Sequence, residues 1–280
     1  MIVSEIMTDR PIVAEVPGTR TDILKLLVRK NITGVPVIKH SDKTLVGFVT
    51  RQDIFNRPEE EQLALLITRD YPTISPDSDV EDAARLIVEN GVRHIPVVED
   101  GKLVGIVTPK DLLIVVEKNN EMTPVIEIER STCVPIYEGS PLSVALITFK
   151  VANVTALPVL DENARLTGII TDRDIFNQSV VDSSVVMSDL GLGQDVENWS
   201  WEGLRNVMKL WYEVSKVELP DLPVREVMVR NPTSVFSKTP ASEAARMMRK
   251  NDFGQLPLRG PRDNLIGMIY DTDVISTILK

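Results

Sequence analysis

Four stretches of this chain share one pattern: a β-branched residue and a glycine, two apolar residues, then a polar turn closed by aspartate. They are Val46-Gly47-Phe48-Val49-Thr50-Arg51-Gln52-Asp53, Val104-Gly105-Ile106-Val107-Thr108-Pro109-Lys110-Asp111, Thr167-Gly168-Ile169-Ile170-Thr171-Asp172-Arg173-Asp174 and Ile266-Gly267-Met268-Ile269-Tyr270-Asp271-Thr272-Asp273. A repeat kept in phase fixes the architecture before any local propensity is weighed, because each copy must present the same supersecondary unit. Thr-x-x-Asp stands in the first three copies, and Tyr270 replaces the threonine in the fourth.

A second landmark keeps step with the first. Val35-Pro36-Val37, Ile95-Pro96-Val97, Leu157-Pro158-Val159 and Leu256-Pro257-Leu258 each lie about ten residues before their glycine. Turn-forming residues separate the two landmarks, so each pair predicts a β-hairpin. Proline is expected at the first position of its strand, where no ladder donor is lost. Upstream, apolar residues recur at helical spacing: Ile23, Leu26 and Leu27 after a cap at Thr21 or Asp22; Val80, Ala83, Ala84, Ile87 and Val88; Leu142, Ala145, Leu146 and Phe149; Ala244, Ala245, Met247 and Met248. Short strand-like pieces lead each copy at Pro11–Val13, Pro72–Ile74, Cys133–Ile136 and Pro232–Val235. Each unit therefore reads strand, helix, strand, strand, helix over about sixty residues. So small a unit buries too little apolar area to stand alone, so the copies are expected to pair.

Thr50, Thr108 and Thr171 end a strand, and Asp53, Asp111 and Asp174 fall in the first helical turn. Two roles suit that arrangement. A carboxylate there accepts two hydrogen bonds from a ribose diol, beside a hydroxyl and free helix-start N–H groups that suit a phosphate. The same spacing is a capping box, in which threonine and acid satisfy each other's backbone N–H groups. The sequence leaves both open. Gly47, Gly105 and Gly168 lack a side chain and would let a flat base or sugar approach the backbone. In the fourth copy the Tyr270 ring would fill the sugar's space, with Asp271 as a simple cap.

The glycine-apolar-apolar-Thr-x-x-Asp turn, preceded by the apolar-Pro-apolar strand, resembles the CBS domain, the module named after cystathionine β-synthase. The resemblance covers nearly all the chain. It implies an α/β (α+β) fold of four β-α-β-β-α motifs packed as two Bateman modules. The expected boundaries are 1–58, 59–118, 119–180 and 223–280, with a helical insertion at 181–222. The arrangement is similar to that of the nucleotide-sensing gamma subunit of the AMP-activated protein kinase. Clefts between paired motifs would hold an adenosine nucleotide, AMP, ADP or ATP, or S-adenosylmethionine. The resemblance implies a regulatory protein signalling to a partner; a non-catalytic oligomerisation scaffold with vestigial clefts is the alternative. The implied ligand set is Thr50, Asp53, Thr73, Arg93, His94, Ile95, Thr108, Lys110, Asp111, Thr171, Arg173 and Asp174. Basic residues precede the proline only in copy two, as Arg93-His94, so phosphate contacts are expected there, supported by Arg51, Lys110 or Arg173.

Composition removes several other classes. Net charge is −10 and aromatics make up 5%, so neither a basic face nor a stacking platform for nucleic acid is evident. Cys133 is the sole cysteine and His40 and His94 the sole histidines, which leaves no thiolate cage or paired-histidine metal site. No apolar run reaches the ~20 residues a membrane helix needs, and a cytoplasmic location is expected. There is no P-loop, no Gly-x-Ser-x-Gly elbow and no paired histidine ligand, so no enzyme is expected.

The interval between the third and fourth glycines is about forty residues longer than the others. Within it Trp201, Leu204, Met208 and Trp211 form a helical stripe, and all three tryptophans of the chain lie there. It is expected to pack against the second module, or to dock a partner or a second subunit of a homodimer.

Overall fold

In the computed structural model of the 280-residue chain, residues 1–30, 32–50, 53–54, 57, 60–128, 131–152, 154–171, 174 and 220–279 are described. Arg51, Arg173 and the tryptophan stripe lie outside them. The chain divides into two units. One holds Met1–Asp79 and His94–Val107, the other Val80–Arg93, Thr108–Ser179 and Leu219–Lys280. The division runs through copy two, whose sheet lies in the first unit and whose helices lie in the second.

In the first unit, β2 (Ala14–Val16) runs parallel to β3 (Gly34–Lys39), which turns back antiparallel into β4 (Leu45–Thr50). Helix α1 (Arg20–Lys30) buries Ile23 and Leu27 with Val35, Val37, Val49 and Ile54, and a short α2 (Leu63–Leu66) adds Leu63 and Leu66. The expected cap at Thr21 or Asp22 is corrected to Thr19. Its Oγ1 accepts the Asp22 N–H at 3.1 Å while donating to Asp22 Oδ2 at 2.6 Å. A β-region residue with a hydroxyl is what the three-residue spacing to an acid requires. The second sheet has the order β1-β6-β5, with β1 (Thr8–Asp9), β5 (Ile95–Glu99) and β6 (Lys102–Val107).

In the second unit, α3 (Val80–Asn90) and α4 (Pro109–Lys118) of copy two pack with copy four's α6 (Ala241–Asn251) and α7 (Asp271–Ile275). Small buried residues, among them Ala83, Ala84, Ala241, Ala244 and Ala245, let these helices approach closely. Arg249 Nη2 meets Glu117 Oε2 at 2.7 Å across the packing. Copy three contributes β7 (Ile136–Tyr137), α5 (Leu142–Ala152), β8 (Ala156–Leu160) and β9 (Leu166–Thr171). Copy four contributes β10 (Val229–Arg230), β11 (Val235–Phe236), β12 (Gln255–Arg259) and β13 (Leu265–Tyr270).

Two strand expectations are corrected. The lead strands start three residues later than Pro11, Cys133 and Pro232, at Ala14, Ile136 and Val235, while in copy two only Ile74 bridges, to Val97. The landmark prolines lie within their strands, Pro96 opposite Ile106 for example. They are tolerated because N and O of one strand residue face the same neighbour. Pro96 O accepts from Ile74 N at 3.1 Å, and the missing donor faces the side where that lead segment has not yet begun to pair.

Segments entering each copy are exchanged with its neighbour. Thr8–Asp9 of copy one pairs with Gly105–Ile106 of copy two, while Thr68, leading into copy two, exchanges both backbone hydrogen bonds with Phe48 of copy one at 2.9 and 3.0 Å. Val229–Arg230 of copy four pairs with Gly168–Ile169 of copy three, and Val125 N, leading into copy three, donates to Thr239 O at 2.9 Å. Reciprocal exchange joins copies one with two and three with four, supplying the pairing that small units require.

Candidate functional site

The Thr-x-x-Asp turns close as capping boxes. Thr50, Thr108 and Thr171 each donate backbone N–H to Oδ2 of the aspartate three residues on, at 2.7, 2.8 and 2.8 Å. Their hydroxyls reach the same oxygen at 2.5, 2.8 and 2.7 Å. One carboxylate oxygen in each copy is therefore spent on the helix start, and the remaining chemistry rests on Oδ1.

Here the copies part. Asp53 Oδ1 accepts the Thr68 hydroxyl at 3.3 Å, supplied by the exchanged segment. Asp273 Oδ1 takes both the Ser131 N–H, at 3.1 Å, and its hydroxyl, at 2.7 Å. Among the described residues nothing bonds to Oδ1 of Asp111 or Asp174. Burial pushes the Asp111 carboxyl upward despite its hydrogen bonds to Thr108. A half-buried acid with an open oxygen gains from a hydroxyl donor that reaches it.

Copy four is sealed from within. Tyr270 N–H donates to Asp273 Oδ2 at 2.7 Å, so Asp273 caps the helix rather than Asp271, correcting the expectation. The Tyr270 hydroxyl is buried with no hydrogen-bond partner among the described residues, and its pKa is pushed up to about 12, first by burial and then by the neighbouring Cys133 and Asp273.

The expected phosphate cations of copy two are engaged. Arg93 forks onto Asp271, Nη2 to Oδ2 at 2.5 Å and Nη1 to Oδ1 at 3.3 Å. Lys110 Nζ meets Asp252 Oδ1 at 2.8 Å. In the first unit His94 Nε2 lies 3.2 Å from Thr33 Oγ1, and its ring stacks at 5.5 Å on Phe48, whose other neighbour is Tyr71 at 4.4 Å. Ile95 is buried in β5 and Thr73 is exposed beside the Ile74 bridge. The structure thus joins each threonine to its acid and joins Arg93 and Lys110 to copy four. Thr68, Tyr71, Ser131 and Asp252 escape sequence reasoning: the first three belong to no repeated position with a shared chemistry, and the helix-ending position of Asp252 carries a charge in copy four alone.

The glycines serve the segment exchange rather than a ligand's approach, which corrects the expectation. A Cβ at Gly105 would overlap Met7 Sδ, and one at Gly168 would overlap Met228 Sδ. At Gly47, φ is +154°, and a Cβ would overlap Thr68 O and sit 2.5 Å from Ile67 Cγ2. Among the described residues no group of His, Cys, Asp and Glu could hold a metal, and no helix is long and apolar enough to cross a membrane.

The CBS domain pattern matches residues 3–60, 63–118, 125–180 and 224–280. This chain belongs to the CBS domain family. Protein MJ1225 of Methanocaldococcus jannaschii is 30% identical over 191 residues, spanning 62% of this chain and 68% of that protein. Its crystal structure covers 99% of both chains with a TM-score of 0.68 and 19% identity in the superposition, a likeness of fold. An uncharacterized conserved protein from Pyrococcus horikoshii superposes with a TM-score of 0.70 and 25% identity, covering 99% of this chain and 100% of that one. The A-adding tRNA nucleotidyltransferase of Aquifex aeolicus is 35% identical over 122 residues, but these make up only 15% of that enzyme, so the likeness is to a small part of it.

Proposed function

We propose that this CBS protein is a non-catalytic regulator that binds an adenosine nucleotide, AMP, ADP or ATP, with S-adenosylmethionine as a further member of that class. The single observation that carries the reading is that Oδ1 of Asp111 and of Asp174 has no hydrogen-bond partner among the described residues, where copies one and four have theirs filled by Thr68 and Ser131. Within the second unit Thr108 and Asp111 face the ribose, and Arg93 and Lys110 supply charge for phosphate in copy two; the further copy-two residues Thr73, His94 and Ile95 belong to the first unit. Thr171 and Asp174 serve copy three, with Arg173. Copy one, through Thr50 and Asp53, is a weaker site, and copy four carries none. MJ1225 has been put forward as an archaeal homolog of g-AMPK, which fits a nucleotide-sensing role. A ligand shifts the chain's shape only by its differential affinity for two states, so the signal requires a partner protein or a second subunit. The segment around Trp201 and Trp211 is the proposed docking face for one, and the setting is cytoplasmic.

A second reading is favoured by the closed capping boxes: a scaffold whose clefts are vestigial. Mass spectrometry of small molecules released from the purified chain separates the two. Recovery of an adenosine nucleotide supports the regulator. Empty protein, with no nucleotide-induced rise in melting temperature, supports the scaffold.

A further inference from the structure

Arg93 precedes β5 in copy two, and Asp271 opens α7 in copy four. Two parallel contacts join them, and the pair is lopsided: the Asp271 side chain is 6% exposed, that of Arg93 54%. Asp271 also accepts the Thr272 N–H at 2.8 Å. A buried carboxylate keeps its charge only while a cation faces it, so Arg93 is held from the copy-four side while its outer edge stays in solvent. A planar carboxylate on a guanidinium fork occupies the donor pair that a phosphate would use.

The second cation of copy two is treated likewise. Lys110 pairs with Asp252, which sits in the left-handed position ending α6. That pair is open to solvent on both sides, 61% and 74% exposed, and so is the weaker lock. Two members of these pairs are particular to their copies: Thr33, Thr155 and Gly254 stand where copy two has Arg93, and Asn31, Gly91 and Asn153 stand where copy four has Asp252, while copy three has Asp172 and Arg173 at the places of Asp271 and Lys110.

We propose that Asp271, with Asp252 as a weaker auxiliary, is an internal competitor for phosphate. Copy four's carboxylates occupy the cations of copy two, so that a phosphorylated ligand binds there only by displacing them. This rests on the nucleotide reading and adds regulation to that site. Displacing Asp271 from Arg93 leaves a buried carboxylate with the Thr272 N–H alone, which couples phosphate capture to the start of α7. Adenosine, lacking phosphate, leaves the clamp closed.

The test is titration calorimetry of the full chain with AMP and with adenosine. Asp271→Asn keeps the side chain's size and an acceptor for Thr272 while freeing Arg93. It should tighten AMP binding about tenfold, the scale of one charge-assisted hydrogen bond, and leave adenosine unchanged. In the Arg93→Gln, Asp271→Asn double variant the gain should vanish. Asp252→Asn, at an exposed position that folding tolerates, should give a smaller gain that disappears at high salt, and it carries the test if Asp271→Asn does not fold. Wild-type and Asp271→Asn chains that bind AMP equally overturn the clamp while the nucleotide reading stands. So does weaker binding by the variant, or a gain that survives loss of Arg93. If neither chain binds AMP, both proposals fall; if only the variant binds, the clamp is supported in its strongest form.

Discussion

Ser131 grips Asp273 through two donors, its N–H at 3.1 Å and its hydroxyl at 2.7 Å, both on Oδ1. With Tyr270 N–H on Oδ2, both oxygens of the carboxylate are filled by protein. Copy four has the acid of the repeat and none of its free acceptor capacity. Ser131→Ala should therefore destabilise the fold by about 1–2 kcal/mol, the scale of a lost hydrogen bond to a buried charge. It should leave nucleotide stoichiometry unchanged. Denaturant melts and calorimetry on the same variant check both halves.

Tyr270 carries a buried hydroxyl without a hydrogen-bond partner among the described residues. Tyr270→Phe should stabilise the protein by about 1 kcal/mol, because an orphaned donor is removed and the ring is kept. The phenol's raised pKa sets a pH window as well. Because the folded value lies above the unfolded one, folding stability is unaffected by this group below about pH 10 and falls as pH rises toward about 12, where the unfolded chain sheds the proton first. Wild type should lose stability across that window more steeply than Tyr270→Phe, as followed by chemical denaturation.

The repeat glycines differ in what an added methyl would meet. Gly105→Ala presses on the flexible end of Met7, whereas Gly47→Ala presses on the Thr68 carbonyl at a φ that side chains rarely adopt. Gly47→Ala should cost about 2–3 kcal/mol and Gly105→Ala about 1 kcal/mol or less, as read from unfolding midpoints. A base or sugar seated on these glycines would instead lower affinity and spare stability.

These residues also show where sequence was informative. The hairpins, the four amphipathic helices and the α+β class are legible because apolar periodicity and turn chemistry are local, and the phase of the repeat multiplies their weight. The purpose of Gly47 is not legible. What it accommodates is Thr68, brought in from the next copy by a pairing that no local spacing encodes. The same holds for Arg93: its charge and place before the strand are plain in sequence, yet its partner Asp271 lies 178 positions away. Thr-x-x-Asp reads in sequence as a capping box or a ribose acid, and the geometry shows the capping contacts on Oδ2.

The central claim, that Asp111 and Asp174 hold an adenosine nucleotide through their open oxygens, is tested most directly by titrating the wild-type, Asp111→Ala and Asp174→Ala chains with AMP in a calorimeter. Each substitution should weaken binding at its own site tenfold or more, about 1.4 kcal/mol or above, while the lost cap costs only ~1 kcal/mol of stability. Affinity unchanged in both variants would contradict the account and leave the two aspartates as helix caps.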